Sequence, residues 1–172
     1  MLEGMRDIVS IELLLDPASE AAVRADWQAL AAAGLSSAGR NPSPSNRPHV
    51  TLLVRPALEP VEFDEAVSRL PVPVVLGEPI VFRHGDRGVL ARRVEPTSEL
   101  LELHLSVHAA APPGPDARHT RPGEWTPHVT LARRLRLDAV ESALRTLGPQ
   151  RSGEGVALRR WDAARAEVTP IG

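Results

Sequence analysis

The sequence has no cysteine, no lysine and no tyrosine among its 172 residues. The absence of cysteine excludes disulfides, thiolate zinc sites and a cysteine nucleophile. The absence of lysine excludes Schiff-base chemistry and the lysine of a phosphate-binding loop, because all 20 basic residues are arginine. Any catalysis must therefore rely on histidine, hydroxyl, carboxylate or guanidinium groups.

Long apolar runs and a strong net charge are also missing. The first apolar segment, 8–15, is interrupted by Ser10 and Glu12 and is too short for a signal-peptide core or a membrane span. The formal net charge of -2 gives no general attraction to long nucleic acids or to anionic membranes. We therefore expect a cytoplasmic monomer that does not bind membranes.

What the sequence does contain is typical of one globular domain over residues 1–172, because 42% of the residues are apolar and 24% are charged. Hydrophobic periodicity and turn residues predict an alternation of strands and short helices. The predicted strands cover 7–15, 49–54, 72–82, 88–94, 125–132 and one or two segments within 155–168. The predicted helices cover 18–35, 63–70, 95–110 and 138–147, with Thr97 as the N-cap of the third.

One five-residue word, Pro-His-Val-Thr-Leu, occurs twice, at 48–52 and at 127–131. A chance repeat of this length in such a chain has a probability on the order of one in a hundred. Each copy follows a loop rich in proline and polar residues, at 36–48 and 111–124, and begins a predicted strand. A duplicated lobe explains this arrangement better than coincidence does.

The repeated word places a histidine and a threonine on one face of each strand, because side chains alternate along a strand. These pairs are His49 with Thr51 and His128 with Thr130, and the same register puts Arg47 beside the first pair. Two imidazoles suit phosphodiester cleavage, since one can remove a proton from the nucleophile while the other protonates the leaving oxygen. The threonine hydroxyls can donate to the phosphate oxygens.

Paired His-x-Thr motifs in a chain of this length resemble the two-histidine (2H) phosphoesterase superfamily, in particular its 2'-5' RNA ligase and RNA 2',3'-cyclic phosphodiesterase branch. The resemblance covers nearly the whole chain. It implies a bilobal α+β fold in which two antiparallel sheets, related by a pseudo-twofold, surround a central cleft with helices on the outside. Each lobe would contribute one motif.

The resemblance also implies roles for the site residues. His49 would be the general acid, His128 the general base, and Thr51 and Thr130 would contact the phosphate. Arg133 resembles an arginine that often follows the second motif and could bind phosphate or nucleotide. No metal and no cofactor are implied.

The resemblance leaves several activities open. The first is opening of 2',3'-cyclic phosphates of RNA ends or nucleotides to 2'-phosphates, with 2'-5' ligation as the reverse reaction. The second is hydrolysis of another cyclic phosphate, such as ADP-ribose 1'',2''-cyclic phosphate. The third is RNA binding without turnover. Few aromatic residues are available to stack on a base, and Phe82 and Trp125, the nearest candidates, are interpreted first as packing residues.

The four remaining histidines are less informative. His104 and His108 are four residues apart on a predicted helix, which is a spacing found in metal sites. They lie on its apolar side and no third ligand is evident, so packed, hydrogen-bonded side chains are the favoured interpretation. His84 in a turn and His119 in the loop before the second motif are interpreted as solvated residues.

Overall fold

The computed structural model describes residues 7–172, so residues 1–6 of the predicted domain lie outside the described residues. Seven strands form the framework: β1 (Val9–Leu15), β2 (His49–Arg55), β3 (Val72–His84), β4 (Arg87–Val94), β5 (His128–Arg136), β6 (Arg151–Asp162) and β7 (Glu167–Ile171). Four α-helices accompany them: α1 (Pro17–Ala32), α2 (Asp64–Ser68), α3 (Ser98–Ala110) and α4 (Val140–Leu144). Each predicted element is present, with its ends shifted by a few residues.

The strands are all antiparallel, in the order β2-β1-β6-β3-β4-β5, with β7 paired to β6. The predicted antiparallel α+β fold is confirmed. The two sheets that the resemblance implies are joined in one hydrogen-bonded seven-stranded sheet. The reason is the length of β3, because its residues 72–76 pair with β6 and its residues 76–84 pair with β4.

Capping residues explain where the helices begin. The Asp16 side chain accepts a hydrogen bond from the Ser19 amide at the start of α1, and Thr97 caps α3 through the Leu100 amide, as predicted. Gly34, in the left-handed region with φ of 75°, follows the end of α1. Within residues 7–172 no helix has the length and apolar character required to cross a membrane.

The core lies under the apolar faces of the two motif strands. Val50, Leu52, Val129 and Leu131 are each at most 1% exposed, and side chains of α1 and α3 belong to the same core. The strands β2 and β5 stand at opposite ends of the strand order, yet they contact each other. The sheet is therefore strongly curved, and this curvature brings the two motif strands together.

Candidate active site

The two copies of the motif have the same arrangement on β2 and β5. In each strand the histidine and the threonine are half-buried, while the valine and leucine of the motif are buried. His49 and Thr51 share one face of β2, and His128 and Thr130 share one face of β5, as the alternation predicts. The four side chains thus lie on partly accessible faces of strands that contact each other.

The same main-chain contact orients both imidazoles. Nδ1 of His49 lies 2.7 Å from the carbonyl oxygen of Arg47, and Nδ1 of His128 lies 2.8 Å from that of Thr126. A carbonyl oxygen can only accept a hydrogen bond, so Nδ1 carries the proton in each ring. Nε2 is left in both rings for proton transfer to or from a substrate.

Two tryptophans fix the main chain of the motifs. The indole of Trp27, in α1, donates to the carbonyl oxygen of Thr130 at 3.0 Å, and the indole of Trp125 donates to that of Thr51 at the same distance. Trp27 precedes the first motif yet holds the second, whereas Trp125 precedes the second motif and holds the first. Each motif is therefore supported from the other half of the chain.

A charged row crosses the sheet beside the first motif. The register aligns Thr51 of β2 with Glu12 of β1, and Glu12 with Arg159 of β6. Glu12 Oε1 lies 2.8 Å from Nε of Arg159, and the Ser10 hydroxyl donates to Oε2 at 2.8 Å. The same Oε2 is 3.4 Å from Nε2 of His49. The first histidine therefore stands next to a buried carboxylate.

The second motif has an apolar row in the corresponding position. Thr130 is aligned with Ala91 of β4, and Ala91 with Ile80 of β3. The half-buried ring of Phe82 lies 4.8 Å from the His128 imidazole, at a tilt of 53°. Burial lowers the pKa of His128, and this effect outweighs the Thr126 carbonyl contact, which raises the pKa. The two histidines thus have opposite surroundings.

Three positive or ionisable groups lie near enough to His128 to lower its pKa further: His119, His49 and Arg133. His49 is therefore within the range of electrostatic interaction with His128. Arg133 is exposed on β5 and close to His128, where it could reach a bound anion. Arg47 differs, because its Nε is paired with Oε1 of Glu20 in α1 at 2.8 Å.

His119 is an exposed loop residue, as its sequence context indicates, and it lies close enough to His128 to lower the pKa of that histidine. It lies in a single 3-10 turn, Arg118–Thr120, in the loop before β5. The buried side chain of Thr120 anchors this turn, since its hydroxyl accepts a hydrogen bond from the Val54 amide at 3.4 Å. The anchor on β2 explains why the loop approaches the motifs, and no local pattern encodes it.

His104 and His108 are packed and hydrogen-bonded, as predicted. Nε2 of His104 donates to the Thr120 carbonyl at 2.8 Å, and the ring stacks on Trp125 with centroids 3.9 Å apart. Nε2 of His108 lies 2.9 Å from the Leu52 carbonyl. Trp125 is thus a packing residue, which supports the first interpretation of this side chain, and the histidine pair braces the strand of the first motif.

We expect this histidine pair to make the protein less stable in acid. Burial, together with the neighbouring His108, lowers the pKa of His104 from 6.5 to about 4. Between these pH values the unfolded chain binds the proton and the folded protein does not, so the free energy of unfolding falls as the pH falls from about 6.5 to about 4. The loss is on the order of 3 kcal/mol at full effect. Urea unfolding across this pH range measures it.

The matched control is His104→Gln, which supplies an N–H donor but does not titrate. In this variant the corresponding part of the pH dependence should disappear, although other carboxylates and histidines still contribute. An unchanged slope between pH 6.5 and pH 4 in the variant would show that another group is responsible.

No group of three or more histidine, aspartate or glutamate side chains within residues 7–172 is arranged to hold a metal ion. Beside the first motif Glu12 approaches His49, but that carboxylate already accepts hydrogen bonds from Arg159 and Ser10. The donor set fits acid-base catalysis by two imidazoles better than it fits a metal ion.

Comparisons with known proteins show the family and the fold of the chain. A family model described as the 2'-5' RNA ligase superfamily matches residues 17–171. Usb1 of Kluyveromyces marxianus has a similar structure, with a TM-score of 0.53, 16% identity, and coverage of 96% of this chain and 98% of that chain. E. coli LigT complexed with 3'-AMP gives a TM-score of 0.53 and 17% identity over 96% of this chain and 95% of that chain. At these identities the likeness shows the fold, and among proteins of curated function none matches the sequence significantly.

Proposed function

Because the chain belongs to the 2'-5' RNA ligase superfamily of 2H phosphoesterases, we propose that it opens 2',3'-cyclic phosphates of RNA ends or nucleotides. The observation that carries the proposal is the matched pair of imidazoles on contacting strands. In each, Nδ1 is bound to a main-chain carbonyl and Nε2 is left for the reaction. Two such groups provide the general acid and the general base that hydrolysis requires.

The proposed reaction is a single displacement at phosphorus. Nε2 of His128 takes a proton from water, and the water oxygen forms a bond to phosphorus. The bond from phosphorus to the 3' oxygen breaks, and Nε2 of His49 gives its proton to that oxygen. The product carries a 2'-phosphate and a 3'-hydroxyl, and exchange of protons with solvent restores both histidines. With a 5'-hydroxyl of a second RNA end in place of water, the same displacement would join the two ends through a 2'-5' bond.

The surroundings of the two histidines support this assignment of roles. His128 lies against Phe82 with a lowered pKa, so it is neutral near pH 7 and can accept a proton. His49 lies between two acceptors, the Arg47 carbonyl and the Glu12 carboxylate, so it is placed to hold a proton on each nitrogen. A base must be free of its proton and an acid must carry one.

The remaining site residues act on the phosphate charge. The hydroxyls of Thr51 and Thr130 would donate to the non-bridging oxygens, where charge develops in the transition state. Arg133 would bring a guanidinium close to the same anion. Arg47, held by Glu20, is the least available of these groups, so we propose for it an indirect role in which its carbonyl orients His49.

We expect the purified protein to open a 2',3'-cyclic mononucleotide in the presence of EDTA, with the 2'-phosphate as product. Proton transfer from water to one imidazole and from the other imidazole to the leaving oxygen needs no metal, and protonation of the 3' oxygen leaves the phosphate on the 2' oxygen. Phosphorus NMR separates the two monophosphates and follows the rate. ADP-ribose 1'',2''-cyclic phosphate in a parallel reaction tests the alternative substrate.

Complete loss of activity on chelation, restored by a divalent ion, would contradict the mechanism. A 3'-phosphate product would be consistent with catalysis by both histidines, but it would require the cyclic phosphate to bind in the opposite orientation. Binding of RNA ends without turnover of either cyclic phosphate would show that the protein is an RNA-binding protein and not an enzyme for these substrates.

A further inference from the structure

The charged row beside the first motif ends in a carboxylate whose position calls for an explanation. The side chains of Glu12 and Arg159 are only 5% and 6% exposed, and Ser10 is buried next to them. A buried charge costs free energy unless it is paired and hydrogen-bonded. Glu12 is paired with Arg159, and its carboxylate lies next to Nε2 of His49, a motif histidine, rather than in the interior of the core.

We propose that Glu12, held by Arg159 and Ser10, is a positioning residue that keeps a proton on Nε2 of His49 for delivery to the leaving oxygen. The inference rests on the proposed function, because it deepens the role of one of its two histidines. Glu12 itself need not touch the substrate. It acts through His49.

The hydrogen-bond inventory supports an ionised Glu12. Arg159 is always protonated and donates from Nε to Oε1, while the Ser10 hydroxyl donates to Oε2. An ionised carboxylate has no hydrogen to donate. The contact with His49 is therefore favourable only if Nε2 of the imidazole carries a hydrogen.

The other nitrogen of the His49 ring also faces a hydrogen-bond acceptor. Nδ1 of His49 faces the Arg47 carbonyl, which also can only accept. An imidazole between two acceptors satisfies both only when both nitrogens are protonated. At 3.4 Å the distance from Nε2 to Glu12 exceeds the roughly 2.7–2.9 Å of a charge-assisted hydrogen bond. The carboxylate thus stabilises the proton and leaves it available to a substrate oxygen.

The charged row beside the first motif also makes the surroundings of the two motifs different. A duplicated word by itself would give two interchangeable histidines. The positions that correspond to Glu12 and Arg159 beside the second motif are occupied by Ala91 and Ile80, which have no charge. A carboxylate on one side and apolar side chains on the other assign one histidine to each role.

A double-mutant cycle of Glu12→Gln with His49→Ala tests the proposal, with kcat for a 2',3'-cyclic mononucleotide as the readout. Glu12→Gln keeps the shape of the side chain and removes its charge. We expect kcat to fall roughly tenfold to a hundredfold, a part of the effect of a general acid, with little change in KM. In the His49→Ala background the same substitution should change kcat less than about twofold, because a residue that acts through His49 has nothing left to act on.

Asp26→Asn is the matched control. Asp26 forms the other strongly buried ion pair found in the described part of the chain, with Arg92 of β4, at side-chain exposures of 7% and 4%. The Asp26→Asn substitution removes one charge from a buried ion pair, as Glu12→Gln does, but this pair lies away from His49. We expect any loss of kcat that it causes to be the same in both backgrounds.

Thermal unfolding identifies the temperatures at which each variant is folded. If Glu12→Gln does not fold, Ser10→Ala provides the milder test, because it removes one donor to Oε2 and should cost a few-fold in kcat only when His49 is present. Equal losses in both backgrounds, or wild-type kcat in the folded variant, would overturn the positioning role and leave the proposed function intact. A wild-type protein that opens no cyclic phosphate would overturn both.

Discussion

Replacement of either His49 or His128 by alanine is expected to lower kcat for ring opening by roughly a hundredfold to ten-thousandfold, the usual contribution of one general acid or base. Each imidazole is oriented through Nδ1 by a main-chain carbonyl, and alanine has no group that could transfer a proton in its place. The double variant should be only slightly slower than the worse single one, because the two groups act on one transition state.

The threonines are the controls for this prediction. Thr51→Ala and Thr130→Ala each remove one neutral hydrogen bond to the phosphate, worth about 1 kcal/mol, or roughly fivefold in rate. The side chains of all four residues are half-buried, so the variants should unfold near the wild-type temperature. Wild-type kcat in either histidine variant would refute the mechanism, whereas equal losses in all four would indicate a general disturbance of the site.

The sequence predicts which side chains share the His-x-Thr face of each motif strand, because that face is local. The repeated five-residue word and the alternation of a strand are enough to place His49 with Thr51 and His128 with Thr130. Similarly, Thr97 identifies the start of α3 by its own capping chemistry. Such features depend on residues a few positions apart, and each was found where the sequence predicts it.

What surrounds the histidines could not be predicted, because strand order decides it. Glu12 and Arg159 are 147 residues apart in sequence, and they meet only because β1 pairs with β6. Ser10 and Glu12, which in the sequence only interrupt an apolar run, prove to be the polar face of β1 beside the first motif. The joining of the two sheets also depends on strand pairing, since no local signal shows that β3 extends from one lobe into the other.

The tryptophan contacts explain how the fold holds two edge strands in a fixed relation. An edge strand has main-chain groups without a strand partner. At the motif threonines these groups are satisfied by Trp27 and Trp125, each from the other half of the chain. Each tryptophan therefore both packs against the core and positions a motif strand. Changes to either side chain should affect the stability of the sheet and the geometry of the site together.

Trp27→Ala is accordingly expected to destabilise the protein by about 3–5 kcal/mol, the usual effect of removing a large buried aromatic side chain. Trp27 is 4% exposed and belongs to the core. The main chain at Gly39 packs directly against Trp27: a Cβ atom added at Gly39 would lie only 2.9 Å from the Cβ of Trp27. Urea unfolding gives the change in free energy.

Trp27→Phe separates the two functions of this side chain. It retains much of the apolar surface but removes the donor to the Thr130 carbonyl, which should cost about 1–3 kcal/mol because that carbonyl loses its partner. The strand that carries His128 is then less firmly held, so kcat should fall in the folded variant. Trp125→Phe makes the corresponding change at Thr51, on the strand that carries His49. If Trp27→Phe lowered stability without lowering kcat, the indole would contribute packing alone, and the position of the second motif would depend on its pairing with β4.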